Sequence, residues 1–109
     1  MSLQLHAMVR YMMSFSVKES EQETARRIIR EYFEKLYRAG PGGMRSQCYS
    51  DEGKDGGFVH IKSFVRDSVA RQHFRSAFFT EYINRLSAVT GEPLSFTRLS
   101  QEKTFESIY

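Results

Sequence analysis

Apolar and polar side chains alternate along residues 8–17. Val9, Tyr11, Met13, Phe15 and Val17 fall on one side of an extended chain and Met8, Arg10, Met12, Ser14 and Ser16 on the other, which predicts a β-strand. The period then lengthens: Ala25, Ile28, Ile29, Tyr32, Phe33 and Leu36 form one stripe of a 3.6-residue repeat, predicting a helix. Ser20 to Glu23 has the form of a capping box that opens it, and Gly40-Pro41 closes it. Glu31 with Lys35 and Glu34 with Arg38 stand four apart in the favourable order for helix-surface pairs. Alternation returns in Met44–Ser50 and in residues 58–65, where Val59, Ile61 and Val65 oppose Phe58, His60, Lys62 and Phe64. The acidic, glycine-rich stretch 51–57 between them reads as a hairpin loop.

From Asp67, a capping residue, helical spacing resumes through Val69, Ala70, His73, Phe74, Ala77, Phe78, Tyr82, Ile83, Leu86 and Val89, ending at Gly91. Phe79 widens this stripe, which predicts a bend near Ser76 and contact with two surfaces. Pro93 opens a last strand through Leu99, with Leu94 and Phe96 on one face, followed by a tail with Phe105, Ile108 and Tyr109. The order β-α-β-β-α-β predicts a ferredoxin-like α+β fold: a four-stranded antiparallel sheet with helices on one face. Residues 8–109 form a single domain in this reading, and residues 1–7 are set aside as a leader. Strands 8–17 and 58–65 carry large apolar groups on both faces, unlike a sheet with one wet side. The uncovered patch, on the order of several hundred Å², predicts that a second copy covers it as a two-fold dimer.

Composition narrows the picture. With 109 residues, 40% hydrophobic and 27% charged, the chain builds one core and is neither disordered nor collagen-like. No apolar run reaches the ~20 residues of a membrane helix. The single cysteine, Cys48, makes no internal disulfide, which points to the cytoplasm and excludes metal sites built on cysteine pairs. A net charge of +3 is too small to imply nucleic acid by itself. Nine Phe and six Tyr indicate a dense core or an apolar cavity.

The run Phe58-Val59-His60-Ile61-Lys62-Ser63-Phe64, then Asp67-Ser68-Val69-Ala70, then His73, Ser76, Phe79, Tyr82 and Leu86 resembles the antibiotic biosynthesis monooxygenase family of small dimeric α+β barrels. The resemblance covers nearly the whole chain from Met8. It implies a homodimer whose two sheets form a shared barrel, with a ligand cavity in each subunit between sheet and helices. Relatives of this kind oxidise quinols and polycyclic phenols with molecular oxygen and use no metal, flavin or haem cofactor; some similar proteins bind and cleave haem. Phe64 stands where haem-degrading and some oxygenating relatives carry Trp, and Met12 where the haem-degrading branch has Asn. Both departures argue against haem cleavage.

His73 is the candidate catalytic base, since an imidazole beside an apolar cavity can accept a phenolic proton near neutral pH; the bland alternative is a helix-face histidine bonded to a carbonyl. Arg10, Met12, His60, Phe64, Phe78 and Tyr82 are the residues taken as lining the pocket, with Arg10, Met12 and Ser14 expected on the same side as His60. Against this, His60, Lys62 and Arg10 could reach solvent at sheet edges with their stems buried. Tyr11 and Tyr82 could donate to a quinone oxygen or simply fill core. Cys48 reads as a small hydrophobe. Loop 53–57 starts no helix and is not a phosphate cradle.

The function this supports is a cofactor-independent monooxygenase-like protein acting on a small aromatic or quinol-type compound, with no nucleic acid or membrane partner. The alternative is a non-catalytic dimer that binds a small ligand. An RNA-recognition reading rests on Lys54 to Val59 and on Phe58 as a stacking ring, but Gly56 occupies the second aromatic position that such a module needs.

Overall fold

Residues 8–107 are described by a computed structural model, and residues 1–7, 108 and 109 lie outside it, so the leader expectation and the tail residues Ile108 and Tyr109 are untouched. The elements follow as β1 (Val9–Ser16), a 3-10 turn (Glu19–Glu21), α1 (Gln22–Ala39), β2 (Met44–Ser50), β3 (Gly57–Phe64), α2 (Asp67–Phe74), α3 (Ala77–Ser87) and β4 (Ser95–Leu99). This is the ferredoxin-like α+β arrangement that the periodicity predicts. The sheet is antiparallel in the order β2-β3-β1-β4, which places the two most apolar strands in the middle.

Register decides which side chains share a face. Met13 pairs with His60, Tyr11 with Lys62, Val9 with Phe64 and Phe15 with Phe58, so these eight point toward the helices. Arg10, Met12 and Ser14 pair with Ser63, Ile61 and Val59 and point the other way. The expectation that Arg10 and Met12 share a side with His60 is therefore wrong: odd-numbered residues of β1 face even-numbered residues of β3. Sequence alternation gives the period of each strand but not this offset between them.

The helix-side core joins Met13, Phe15 and Phe58 of the sheet to Ala25, Ile28 and Tyr32 of α1 and Phe79, Tyr82 and Leu86 of α3. α1 begins differently from the expected capping box. Ser20 is drawn into the 3-10 turn, where the Glu21 N–H donates to Lys18 O, and α1 starts at Gln22 without a side-chain cap. The expected surface pairs are replaced by bridges between helices: Arg85 meets Glu31 at 2.7 Å and Lys35 meets Glu81 at 3.4 Å. The Arg85 guanidinium holds the Glu31 carboxyl below its usual range. These links tie α1 to α3 along their solvent-facing sides.

The bend occurs at Ser76. Its Oγ donates to His73 O at 2.6 Å, closing α2, and accepts from the Phe79 N–H at 3.4 Å, opening α3. Asp67 is the first residue of α2 rather than its cap, and its carboxylate meets Arg98 of β4 at 3.1 Å. The second helical region closes at Ser87 rather than at Gly91.

On the outer face, Tyr49, Val59, Ile61, Met12 and Leu99 form an apolar stripe across all four strands. Tyr49 and Leu99 are exposed, β4 is exposed along its length, and Phe105 in the following segment is 88% accessible.

Candidate functional site

The side of β3 that faces the helices carries Phe58, His60, Lys62 and Phe64. A strand flanked by two buried phenylalanines at alternate positions carries whatever stands between them into the core, and here that is an imidazole and an ammonium group. His60 is 0% and Lys62 2% accessible. α1 lowers Tyr32 onto them, α2 brings His73 from the last turn before the Ser76 bend, and α3 brings Tyr82. β2 completes the cluster with Ser46, which pairs with Lys62 across the strands.

The Tyr32 hydroxyl is the hub. It lies 2.8 Å from His73 Nε2 and 2.5 Å from Lys62 Nζ, and Lys62 also donates to Ser46 Oγ at 3.0 Å. A second pair, His60 Nε2 and the Tyr82 hydroxyl, is hydrogen-bonded alongside. The two tyrosine rings stack with centroids 3.9 Å apart, and Lys62 Nζ sits 4.5 Å from the Tyr32 centroid. Phe33 stacks on His60, while Phe64, Phe78 and Phe79 surround His73.

Lys62 makes no ion pair among the described residues, so an ammonium there has no anion to offset its lost hydration. Burial lowers the Lys62 amine to about 7. Burial, reinforced by the Lys62 charge, lowers His60 to about 3 and His73 to about 4, so both rings are neutral at neutral pH. Burial pushes Tyr32 and Tyr82 well above the usual phenol range and Cys48 up to about 11, which leaves no thiolate for a nucleophile. Nδ1 of His60 and of His73 has no hydrogen-bond partner among the described residues.

The protonation of Lys62 decides the direction of the relay. As an ammonium it donates to both Tyr32 and Ser46. As a neutral amine it keeps a lone pair that can accept a hydrogen bond from the Tyr32 hydroxyl, while His73 Nε2–H donates to the same phenol oxygen. A proton can thus pass between Lys62, Tyr32 and His73 without crossing water.

Around the Tyr32–Tyr82 stack the packing is tight. The crevice beside Tyr32, Phe78 and Tyr82 offers about 10 Å³, no more than one water. A groove of about 180 Å³ runs between the end of α1 and β2, lined by Phe33, Leu36, Tyr37, Pro41 and Met44, with Ser46 in its wall. Ser46 is therefore the polar side chain that lines this groove and also bonds Lys62, while Phe33 lines the groove and stacks on His60.

Of the residues read from sequence as site candidates, His73, His60, Phe64, Phe78 and Tyr82 come together on the helix side, and Arg10 and Met12 do not. Arg10 lies on the outer face, donating to Ser63 Oγ at 3.2 Å and to Gln101. His73 meets a phenol rather than a carbonyl, and neither His60 nor Lys62 reaches solvent. Tyr11 packs edge-on against Phe64 and Phe74. Phe58 is buried beneath the helices, so it offers no ring for base stacking and the RNA-recognition reading loses its one aromatic. Lys62, Tyr32 and Ser46 are the members that sequence reading missed. The signal was present in Phe58-x-His60-x-Lys62-x-Phe64, one face with both ends greasy.

No family model matches the sequence, and no curated protein matches it. Solved structures do match in fold. A candidate antibiotic biosynthesis monooxygenase of Nitrosomonas europaea superposes with TM-score 0.76 at 20% identity, over 88% of this chain and 91% of that one. One from Deinococcus radiodurans gives 0.78 at 14%, over 93% and 99%. A conserved protein of Methanosarcina mazei Go1 gives 0.84 at 14%, over 94% and 100%. The chain has the fold of proteins named antibiotic biosynthesis monooxygenases. No helix among the described residues is long and apolar enough to cross a membrane.

Proposed function

We propose that this chain is a monooxygenase-like protein that oxidises a small aromatic or quinol-type compound with molecular oxygen, without a cofactor, as a cytoplasmic homodimer. The observation that carries the reading is the Tyr32 hydroxyl held between Lys62 Nζ and His73 Nε2 inside an aromatic shell. Lys62, poised near neutrality, is the better base; His73, lowered to about 4, serves as the neutral partner that fixes Tyr32. A phenolic substrate with an activated CH₂ loses one proton to Lys62, and the new ammonium stabilises the anion. The anion gives one electron to O₂, the two radicals combine into a carbon-bound peroxide anion, and the Lys62 ammonium returns its proton to make the hydroperoxide. Its O–O bond then breaks as the second carbon hydrogen leaves as a proton, giving C=O and one water.

The apolar outer stripe through Met12, Val59 and Ile61 supports pairing of two copies, since covering it contributes about 25 cal/mol per Å². Oxygen uptake with a panel of quinols and anthrones, against an anaerobic control, tests the chemistry. Lys62→Met is expected to lose at least 100-fold and His73→Ala about tenfold; a fully active Lys62→Met removes the base from this reading. Light scattering is expected to give twice the chain mass. The groove of about 180 Å³ between α1 and β2, set apart from the packed cluster, favours a second reading, a dimer that binds a small ligand without turning it over. Native mass spectrometry showing a retained compound, with no oxygen uptake on it, would decide for that reading.

A further inference from the structure

We propose that Lys62 is an amine nucleophile, reached past Ser46 from the groove between α1 and β2, that condenses with small apolar aldehydes or ketones. This goes beyond the oxygen chemistry and does not depend on it.

Three observations converge. Lys62 Nζ is held at a defined position by Tyr32 at 2.5 Å and Ser46 at 3.0 Å, so it is aimed rather than mobile. No carboxylate accompanies it among the described residues, so the ammonium has only the faces of Tyr32 and Phe79 and its hydrogen bonds to offset lost hydration, and the neutral amine, the form that attacks carbonyls, stays accessible. The groove stops at Ser46, and its walls of Phe33, Leu36, Tyr37 and Met44 suit a flat apolar molecule of less than about 180 Å³. A carbonyl carbon that displaces the Ser46 hydroxyl meets Nζ directly. The lowered basicity of Lys62, about 7, keeps roughly half of it unprotonated at neutral pH.

The step needs no further reactant. The Lys62 nitrogen adds to the carbonyl carbon, forming a C–N bond as the C=O π pair moves to oxygen. Both N–H protons end on that oxygen, relayed by the Tyr32 hydroxyl, 2.5 Å from Nζ. The C–O bond then breaks, water leaves and an imine remains.

Reductive trapping reads this directly. The intact wild-type chain is treated with benzaldehyde and cyanoborohydride at pH 7, then mapped peptide by peptide. Lys62 is expected to label about ten times faster or more than Lys18, Lys35, Lys54 and Lys103, because an ordinary lysine is protonated almost completely at that pH. The map resolves the α-amino group separately. In urea the preference is expected to vanish. Ser46→Met, which plugs the groove wall, is expected to slow Lys62 labelling at least fivefold while leaving the other lysines unchanged. An unlabelled Lys62 in the wild type, labelling no faster than at the other lysines, or full-speed labelling in folded Ser46→Met would each overturn the proposal. None of these readouts requires oxygen, so failure of quinol oxidation and failure of carbonyl capture are separate results.

Discussion

The ring of Tyr82 lies flat on that of Tyr32, tilted by 7°, and each hydroxyl is held by a different histidine, His60 for Tyr82 and His73 for Tyr32. The stack joins α1 to α3 directly over β3, so the positions of two phenols and two imidazoles are set by one packing contact. Rigid placement of this kind is what a proton relay requires, because transfer falls away quickly once heavy atoms leave hydrogen-bond range.

Lys62 makes stability depend on alkaline pH. Its folded value, about 7, lies below the value near 10.4 of an unfolded lysine, so between these limits the unfolded chain binds the extra proton. Stability then rises with pH, by up to about 1.4 kcal/mol per unit. Urea unfolding at pH 7.5 and 9 is expected to show that rise in the wild type and to lose it in Lys62→Met. An equal slope in both would mean that Lys62 titrates as an exposed amine.

The histidines act on the acid side. Folded His60 and His73, at about 3 and 4, lie below the ordinary 6.5, so the unfolded chain takes up protons first as pH falls. The histidines' contribution to stability is complete above pH 6.5 and declines toward pH 4 by up to about 1.4 kcal/mol per unit for each ring. His73→Gln is expected to remove about half of that slope. NMR should find both imidazoles untitrated above pH 5; a midpoint near 6.5 for either would contradict its buried neutral state.

Ser76→Ala removes the hydroxyl that closes α2 and opens α3. Loss of such a cap costs about 1–2 kcal/mol. Because His73 sits three residues before the bend, carbonyl labelling of Lys62 or oxygen uptake should fall with stability only if the bend also aims the cluster. A shifted urea midpoint is the first readout.

Gly56 has φ of +74°, and a Cβ there would lie 2.3 Å from Val17 O. Gly56→Ala is therefore expected to cost at least about 2 kcal/mol, from backbone strain plus the clash. Gly91→Ala, with open space around it, should stay within about 0.5 kcal/mol. Thermal melts of the two variants side by side test the contrast.

Periodicity was enough to place every strand and helix within a few residues, since repeats of 2.0 and 3.6 residues report directly on which side is buried. The bend at Ser76 was legible for the same reason: Phe79 does not fit the stripe of a single straight helix. The cluster was only half legible. His60, Phe64, His73, Phe78 and Tyr82 are apolar or amphipathic residues at inward positions, whereas Arg10 and Met12 needed the offset between β1 and β3, which no single strand encodes. Lys62 was hidden by its chemistry, because a lysine is ordinarily solvated and its long stem lets it escape a sheet edge. Tyr32 was read as one more ring in the α1 stripe, and nothing local to α1 reveals that its hydroxyl meets two partners from β3 and α2.

The tightly packed aromatic chamber holds one amine, its basicity lowered to about 7, and, among the described residues, no carboxylate beside it. A guest that surrendered a proton inside would create its own counter-ion partner, leaving the chamber electrically balanced throughout. Charge separation there could proceed with nothing ionic crossing the protein boundary, and neutral acidic visitors would be favoured over ones that arrive already charged.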